Sequence, residues 1–403
     1  MKILVVCQYY KPEPFRISDI CESLVTMGHE VVVLTGMPNY PTGKIYPGYK
    51  WCKKRLEAIS GVKVIRVPLI PRGQNFVQLA MNYISFALTS CIQILFLKRD
   101  FDVVYAHQLS PVTMALPALL YKKITGKKVA LYCLDIWPES IVAASITRSS
   151  ILYSLSLVVS RWIYHAADSI CVSSFPFIQY LKETIRLDVA YKNYLPQFAE
   201  NLYLSIPSDD YALPVGKQRF LFAGIIGEMQ SVETIIRAAS KLKDLKNIEW
   251  HIVGDGSARK RCENLTRELG LTDRVFFYGQ RPANEMPGFF SKASALLVTL
   301  KKNDCISYTL PGKVQSYMAA GKPVIGAIDG ATKEIIQEAG CGLCCDAENH
   351  EALALLIRKF VSEPWKVESY SSNSLKYYEE HFSKSVFMKH LVSNLQDLCV
   401  NKI

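Results

Sequence analysis

Residues 2–35 (KILVVCQYYKPEPFRISDICESLVTMGHEVVVLT) contain the pattern that decides the fold class. The stretch opens with a short apolar run, Lys2–Cys7, and a proline-rich loop separates this run from a segment with helical spacing. The apolar residues of that segment are Ile17, Ile20, Leu24 and Met27. Gly28 ends the predicted helix, and a second apolar run, Glu30–Thr35, follows. A helix between two continuous apolar strands predicts a parallel sheet that is covered on both faces.

The same alternation continues along the chain and lapses once, in a stretch rich in proline, serine and aspartate that predicts a linker. The other strand candidates are Val62–Val67, Asp102–His107, Lys128–Cys133, Ser169–Ser173, Arg219–Ala223, Glu249–Val253, Arg274–Tyr278, Ala295–Leu300, Pro323–Ala327 and Gly342–Cys345. We therefore expect an α/β protein with two doubly wound Rossmann-like domains, residues 1–195 and 218–383, joined by a linker at 196–217. A final helix, residues 384–403, can cross back to the first domain. Such sheets bind ligands beyond the carboxyl ends of their strands, so the site is expected in the cleft between the domains.

The charge of the chain is unevenly distributed. Residues 1–200 hold 22 basic and 13 acidic side chains, whereas residues 201–403 hold 25 and 23. The basic excess therefore belongs to the first half, which indicates that this half meets an anionic partner. Hydrophobic residues make up 50% of the chain, and this excludes a disordered or low-complexity protein.

The cysteines and the N-terminal residues predict an intracellular protein. The 12 cysteines lie mostly inside apolar runs, which favours buried free thiols in a reducing compartment. One cluster, Cys341, Cys344 and Cys345, lacks a second pair of ligands, so we expect no metal site. Met1 and Lys2 lead directly into a strand-like run without a cleavage site, so we expect no signal peptide.

An uncharged stretch, Gln74–Leu97, is long enough to suggest a transmembrane helix. Its polar residues instead form one stripe along a helix: Gln78, Asn82, Ser85, Thr89 and Gln93. The stripe favours an amphipathic helix that is docked on protein or lies in a membrane interface. Basic clusters in the same half, within Lys50–Arg55 and Lys122–Lys128, favour contact with an anionic membrane surface over solvated charge alone. No nucleic-acid recognition motif accompanies them, so we do not expect nucleic acid as a partner.

Loops after the predicted strands of the second domain are candidates for a phosphate site. Gly224 and Gly227 follow one strand and Gly254 follows the next, where backbone amides can approach a ligand, although tight turns explain these glycines equally well. The segment 309–323 (TLPGKVQSYMAAGKP) predicts a short helix ahead of a strand. The N-terminus of this helix offers free amides, and Lys313 adds a positive charge beside them. Together they predict a diphosphate site.

Polar residues also stand at strand ends in the first domain. Asp135 follows the strand Lys128–Cys133, where a carboxylate can polarise a substrate hydroxyl, although helix capping is an equal alternative. Glu139 lies one helical turn further on. His107 ends another strand and could equally be a hydrogen-bonded edge residue.

These residues lie in stretches that resemble family 4 retaining glycosyltransferases of the GT-B fold, nearest to the WbuB-like branch that makes bacterial O-antigens and capsules. The matching stretches run nearly from end to end: Tyr9–Arg16 (YYKPEPFR), Met37–Tyr49 (MPNYPTGKIYPGY), Leu134–Ser140 (LDIWPES), Val253–Gly256 (VGDG), Tyr278–Met286 (YGQRPANEM) and Pro311–Val324 (PGKVQSYMAAGKPV). The motifs NYPTGKIYPGY and DIWPES are specific to the branch, whereas VGDG and AAGKPV mark the wider family.

The resemblance implies retaining transfer of a sugar, in this branch an N-acetylated amino sugar, from a UDP-linked donor to a polyprenyl-diphosphate-linked glycan. It implies a donor in the C-terminal domain, an acceptor in the N-terminal domain, no metal ion and no other cofactor. The expected location is cytoplasmic, peripheral on the inner face of the cell membrane, with Asp135 as the catalytic residue. The expected acceptor-side residues are Arg16, Tyr40, His107 and Glu139. The expected donor-binding residues are Gly224, Gly227, Gly254, Arg281, Thr309, Leu310, Gly312, Lys313 and Ser316.

Two departures from the family pattern affect the donor site. The two glutamates of the family correspond here to Tyr308 and Ser316, and its phosphate-binding Arg and Lys correspond to Ile225 and Gln230. Ser316 can still hydrogen-bond a ribose hydroxyl, and Lys313 is the nearest replacement cation. The alternatives are therefore a catalytically altered nucleotide-sugar-binding protein and a nucleotide-sugar 2-epimerase. The presence of YYKPEPFR and DIWPES in the acceptor half favours the transferase.

Overall fold

The structure is a computed structural model that describes residues 1–73, 75–142, 146–204, 217–303 and 307–400. The chain forms two compact units. Unit 1 comprises Met1–Leu195 and the residues from Met388 onward, and unit 2 comprises Pro196–Phe387. Most of the predicted linker, residues 205–216, lies outside the described residues, as do the last three residues of the predicted final helix.

Unit 1 is built on a seven-stranded sheet in the order β3-β4-β2-β1-β5-β6-β7. Its strands are β1 (Lys2–Val6), β2 (Glu30–Gly36), β3 (Leu56–Ile59), β4 (Val62–Val67), β5 (Val103–Gln108), β6 (Lys128–Cys133) and β7 (Ser169–Val172). All neighbours pair in parallel except β3 and β4, which are antiparallel. The central strands β2, β1, β5 and β6 are buried almost throughout, because helices cover both faces of the sheet.

The described α-helices between these strands are α1 (Ile17–Thr26), α2 (Phe76–Leu95), α3 (Leu116–Thr125), α4 (Glu139–Val142), α5 (Ile151–Ala166) and α6 (Pro176–Tyr180). Helix α1 buries Ile17, Ile20 and Leu24 as predicted. Met27 was expected on the same face, but it lies beyond the end of the helix and is half exposed. Gly28 follows with a φ of 85°, a left-handed conformation that glycine adopts without strain at a helix end.

Unit 2 contains a six-stranded parallel sheet in the order β10-β9-β8-β11-β12-β13. Its strands are β8 (Gln218–Ala223), β9 (Ile248–Val253), β10 (Val275–Gly279), β11 (Ala295–Thr299), β12 (Val324–Ala327) and β13 (Gly342–Cys345). Its described α-helices are α7 (Val232–Ser240), α8 (Arg259–Glu268), α9 (Met286–Ser291), α10 (Gly312–Ala319), α11 (Ala331–Ala339), α12 (His350–Ser362) and α13 (Val367–Tyr377). Alternate residues of β8 enter opposite cores, with Phe220 and Phe222 in one and Leu221 and Ala223 in the other. The sheet is therefore covered on both faces.

The last helix, α14 (Lys384–Val400), begins in unit 2, and its residues from Met388 onward belong to unit 1. Asn394 Nδ2 donates to Ser169 Oγ at 2.9 Å, and Lys192 Nζ lies 3.7 Å from a carboxylate oxygen of Asp397. The helix begins at residue 384, where the sequence predicts it, and its part from Met388 onward packs on unit 1.

Strand β3 has no counterpart among the predicted strands. It forms an antiparallel hairpin with β4, closed by Ser60 and Gly61, which have φ values of 48° and 80°. Two positive φ values are typical of a tight two-residue turn, and the Ser-Gly pair was the available signal. The strand lies at the sheet edge and is half exposed, so it lacks the continuous apolar run of the buried strands.

Helix α2 turns its polar stripe toward the protein. Asn82 is fully buried, accepts a hydrogen bond from Gln8 Nε2 at 2.8 Å and donates to the Ile70 carbonyl at 2.6 Å. Ser85 Oγ accepts from the Ile70 amide at 2.9 Å, and Thr89 Oγ1 donates to a carbonyl of the same segment at 2.8 Å. The sequence left two surfaces open for the stripe, protein and a membrane interface. The structure shows that the stripe contacts protein.

A second, apolar side of α2 is exposed. Six residues along it are 40–64% exposed: Val77, Met81, Ile84, Leu88, Ile92 and Leu95. Four residues of α5 are 59–80% exposed in the same way: Ile151, Leu155, Val158 and Trp162. Helix α3 packs against both helices, so these residues belong to one side of unit 1, and we refer to them as the apolar helix surface. Among the described residues, α2 is the one helix that is long and apolar enough to cross a membrane.

Replacing Asn82 with alanine is expected to lower the free energy of unfolding by about 1–3 kcal/mol, because the buried Gln8 side chain loses its partner. Replacing Ile84 with glutamine is expected to change it by at most about 0.5 kcal/mol, because that side chain is exposed. Urea unfolding followed by circular dichroism measures both variants. A larger loss for Ile84→Gln than for Asn82→Ala would contradict the orientation of α2.

Candidate active site

Two glycine-containing loops follow β8 and β9 at the carboxyl edge of the unit 2 sheet. Gly224 comes directly after β8 with a φ of 144°, and Gly254 comes directly after β9 with a φ of 140°. A Cβ on Gly254 would lie 1.8 Å from the Gly224 carbonyl oxygen, so the two loops touch backbone to backbone. Both positions therefore require glycine for packing, and neither places a side chain at the strand ends.

Lys313 lies beside these loops, near the start of α10. Its ammonium group is buried, has no hydrogen-bond partner within the described ranges, and lies 3.9 Å from the centroid of the Phe222 ring. A Cβ on Gly224 would lie 3.0 Å from this nitrogen, so a larger residue there would displace it. Burial lowers the pKa of Lys313 to about 7. A buried ammonium that lies over an aromatic ring is stabilised by an anion, so this is a candidate diphosphate site.

Other donor-side candidates lie close to Lys313 along the chain. Gly312 is the first residue of α10, and Thr309 and Leu310 precede it. Ser316 is buried, and its hydroxyl donates to the Gly312 carbonyl at 3.2 Å, so it is already engaged within the helix. Gly227 ends the loop after β8, where a Cβ would lie 2.9 Å from Gln230 Oε1.

Arg281 occupies a different part of unit 2. Its Nε donates to the Tyr278 carbonyl at 3.2 Å. It lines a cavity of about 710 Å³ together with Arg219, His251 and Phe289, and Lys313 is not part of the wall of that cavity. Arg281 therefore lines this cavity without Lys313.

In unit 1, Asp135 follows β6 and Ser110 follows the neighbouring strand β5. Asp135 Oδ2 accepts a hydrogen bond from Ser110 Oγ at 2.9 Å, and Trp137 Nε1 donates to the same Oγ at 3.1 Å. Burial raises the pKa of Asp135, and the hydrogen bonds from Ser110 oppose this rise. The amides of Ser140 and Ile141 bond to backbone carbonyls. Asp135 is thus oriented across the strand ends instead of capping the next helix, and its carboxylate can orient a hydroxyl.

Glu139 and His107 are buried in unit 1 and already have partners. Arg148 Nη2 donates to Glu139 Oε2 at 3.0 Å, and the Tyr153 hydroxyl donates to Oε1 at 2.6 Å. His107 Nδ1 lies 3.0 Å from the Tyr105 hydroxyl, and burial lowers the pKa of His107 to about 3, so the ring is neutral. Both side chains hold unit 1 together, and for His107 this is the structural alternative that its sequence position allowed.

Tyr40 lies in an aromatic cluster of unit 1. Its ring centroid lies 5.5 Å from that of Tyr9 and 5.0 Å from that of Phe15. Arg16 immediately precedes α1. Arg72, which no motif singles out, lies over the Tyr40 ring at 5.5 Å. Local sequence held no signal for Arg72, because only the fold brings it to the cluster.

Family models match most of the chain. Residues 15–187 match the Glycosyl transferase 4-like domain, and residues 208–377 match the Glycosyl transferases group 1 family. The protein WcaI of Escherichia coli (strain K12), assigned to colanic acid biosynthesis as a glycosyl transferase, is 24% identical over 98% of this chain and 100% of its own length.

Solved structures share the fold over nearly the whole chain. Sucrose-phosphate synthase from Thermosynechococcus elongatus has a TM-score of 0.76 at 18% identity and covers 99% of each chain. HepE of Anabaena, solved in complex with UDP, has a TM-score of 0.71 at 17% identity and covers 98% of this chain and 100% of its own. At these identities the likeness concerns the fold. The two matched domains identify the chain as a family 4 glycosyltransferase, and the structural likeness shows that it has the GT-B fold.

Proposed function

We propose that the chain transfers a sugar from a UDP-linked donor to a lipid-linked glycan at a membrane surface, with retention of configuration. The observation that carries the donor half is the buried ammonium of Lys313 near the start of α10, which has no hydrogen-bond partner among the residues that the structure describes. The UDP held by HepE, which has the same fold, supports a uridine nucleotide. The assignment of WcaI to colanic acid biosynthesis supports a growing polysaccharide, such as an O-antigen or capsule, as the acceptor. The transferred sugar is an N-acetylated amino sugar, as the family resemblance implies.

The donor diphosphate binds at the start of α10 in this proposal. The Lys313 ammonium pairs with its oxygens, and the free amides of the first helical turn donate to them. The glycines at positions 224 and 254 leave room for this approach. Ile225 and Gln230 are uncharged, so Lys313 takes over the role of the basic pair found elsewhere in the family. No metal ion is needed, because the lysine supplies the positive charge.

The reaction uses the leaving group as its own base. As the bond between the sugar C1 and the diphosphate breaks, negative charge grows on the departing oxygen, where Lys313 stabilises it. The same oxygen takes the proton of the acceptor hydroxyl while the new bond to C1 forms on the same face. The Asp135 carboxylate, held by Ser110, orients that hydroxyl or stabilises the positive charge of the sugar.

The acceptor is held by unit 1, which lies on the cytoplasmic face of the membrane. The apolar helix surface provides shallow insertion, and the loop 50–55 is held on the polar stripe of the same helix, because Arg55 Nη2 donates to Gln93 Oε1 at 3.3 Å. In this loop Trp51 is 92% exposed, and no carboxylate pairs with Lys53 or Lys54 in the part of the chain that the structure describes. An exposed tryptophan among cations suits an anionic lipid interface.

The second basic cluster contributes less than its sequence indicates. Lys122 and Lys128 both pair with Asp168, at 2.8 and 3.1 Å. The charge that reaches the membrane therefore comes mainly from the loop 50–55.

Tyr308 and Ser316 stand where the family has two glutamates, so two other functions are tested beside the transferase. These are a nucleotide-sugar-binding protein without turnover and a nucleotide-sugar 2-epimerase. Purified protein with UDP-sugars and a lipid-linked acceptor separates them. Release of UDP that depends on the acceptor supports the transferase. Isomerised sugar without an acceptor indicates the epimerase, and binding without turnover indicates the binding protein.

Replacing Lys313 with methionine removes the charge and nearly keeps the side-chain length. We expect the affinity for UDP, measured by calorimetry, to fall by more than about tenfold, because a charge-assisted contact is lost. Lys241→Met is the matched control, since that lysine is an exposed cation paired with Glu351 on the outside of unit 2. An unchanged affinity in Lys313→Met would rule out this donor site.

The lowered pKa of Lys313 predicts that both the affinity for UDP and the stability of the protein depend on pH. Both dependences should be weaker in Lys313→Met. The pKa of Lys313 is about 7 in the folded protein, against 10.5 for an ordinary lysine. Bound diphosphate favours the charged form, so wild-type affinity for UDP should fall as the pH rises above about 7. The unfolded chain binds this proton more tightly than the folded one, so stability without ligand should rise between about pH 7 and 10.

In Asp135→Asn the side-chain oxygen can still accept the hydrogen bond from Ser110, but the negative charge is removed. We expect kcat to fall by about 100-fold or more, since electrostatic stabilisation in the transition state is lost, while UDP affinity stays nearly unchanged. Steady-state kinetics and calorimetry measure the two quantities. Full activity in the variant would contradict the catalytic role of Asp135. Loss of folding would indicate that Asp135 has a structural role instead.

Leu88→Glu, in the middle of the apolar helix surface, is expected to reduce co-sedimentation with phosphatidylglycerol-containing vesicles several-fold. Leu355→Glu is the control, because Leu355 is equally exposed but lies on α12 of unit 2. High salt should also reduce binding, since the Debye length shortens from about 10 Å at 0.1 M to about 3 Å at 1 M. Retention through alkaline carbonate would indicate a transmembrane α2 instead, and no binding at all would contradict the membrane proposal.

A further inference from the structure

Arg72 is a half-buried guanidinium that has no carboxylate partner among the residues that the structure describes. Its Nη1 donates to the Tyr9 hydroxyl at 3.3 Å, and its guanidinium carbon lies 5.5 Å from the centroid of the Tyr40 ring. Burial lowers the pKa of Arg72, but the hydroxyls of Tyr83, Tyr9 and Tyr40 together raise the pKa by more than burial lowers it. The guanidinium therefore stays charged. An arginine held by hydroxyls and a ring face keeps most of its donor fork free for an anion.

Residues of two sequence motifs fix the backbone at Arg72. The Arg72 amide donates to Asn39 Oδ1 at 2.8 Å, and the amides of Asn39 and Tyr40 donate to Glu13 Oε1 at 2.8 and 2.7 Å. A Cβ on Gly43 would lie 1.9 Å from the Arg72 carbonyl oxygen, so that position requires glycine. The motifs YYKPEPFR and NYPTGKIYPGY therefore build a support for an arginine that lies outside both of them.

Tyr83 connects the cluster to α2 and electrostatically to the candidate catalytic carboxylate. Tyr83 lies on α2, which begins at the exposed Phe76, shortly after Arg72 in the chain. Burial raises the pKa of Tyr83, the Arg72 guanidinium opposes this rise, and the charge of Asp135 adds to it. The Tyr83 hydroxyl therefore experiences the charges of both Arg72 and Asp135.

We infer that Arg72, with Tyr9, Tyr40 and Tyr83, binds the phosphate that joins the acceptor glycan to its lipid. This inference rests on the proposed function, because it presupposes a lipid-linked acceptor. The guanidinium takes two phosphate oxygens through parallel N–H groups, and the tyrosine hydroxyls donate to the others. The lipid chain leaves along the apolar helix surface, and the sugar end of the acceptor lies toward Asp135.

The test measures binding of the full chain to phosphatidylcholine vesicles that contain a polyprenyl diphosphate, the matching polyprenol, or phosphatidylglycerol. Wild type should bind polyprenyl-diphosphate vesicles about tenfold more strongly than polyprenol vesicles. Arg72→Gln should abolish this preference, and Arg72→Lys should keep part of it, because the charge remains without the planar fork. Arg55→Gln makes the same charge change in the loop 50–55 and should keep the preference while losing some binding to phosphatidylglycerol.

Three results would overturn the inference. These are full preference in Arg72→Gln, an equal loss of that variant on phosphatidylglycerol vesicles, and a wild type that does not distinguish the diphosphate from the alcohol. Circular dichroism and UDP affinity check that Arg72→Gln is folded, and Tyr9→Phe, which removes one hydroxyl, should weaken the preference without disturbing the fold. Because no sugar transfer is measured, a failure here is distinct from a failure of the proposed reaction.

Discussion

Both candidate sites depend on the parallel pairing of the strands, because it brings the carboxyl ends of each sheet to one edge. In unit 1, β5 and β6 pair up to their last residues, so the loops that carry Ser110 and Asp135 meet. In unit 2, β8 and β9 end side by side, which brings Gly224 into contact with Gly254 and leaves the strand ends open. A shift of one residue in either register would turn buried side chains to the opposite face. The apolar cores that hold the registers thus also hold the sites.

Helix α2 is the element on which the proposed membrane contact depends. Its polar residues satisfy hydrogen bonds inside unit 1, and a buried Asn82 is stable there only because Gln8 and the Ile70 carbonyl are its partners. The consequence is that six large apolar side chains face outward, each of which would contribute about 1.5–3 kcal/mol if it were fully buried. An exposed apolar surface of this extent marks a contact with lipid or another molecule. The loop around Trp51 adds the charge that favours an anionic bilayer.

The two proposed phosphate sites use different cations, with different consequences. The Lys313 ammonium is buried beside the Phe222 ring, so burial lowers the pKa of Lys313 to about 7 and makes its charge depend on pH and on the ligand. Arg72 is less buried, is surrounded by hydroxyls, and keeps its charge throughout the physiological range. The proposed donor site can therefore lose its charge after the product leaves and stay stable when empty. The proposed acceptor site instead presents a permanent charge to an anchored ligand.

The sequence by itself determined the order of strands and helices, because hydrophobic periodicity is a property of neighbouring residues. It also located Lys313 at a helix start and Asp135 at a strand end, but it missed the edge strand β3, whose short half-exposed pattern carries little signal. Only the tertiary structure decided that the Lys313 ammonium has no hydrogen-bond partner within the described ranges, that Asp135 accepts a hydrogen bond from Ser110, and that Arg72 contacts the tyrosines. It also decided that the polar stripe of α2 faces inward. The physical reason is that hydrogen bonding, burial and pKa depend on groups far apart in the chain, which local patterns do not record.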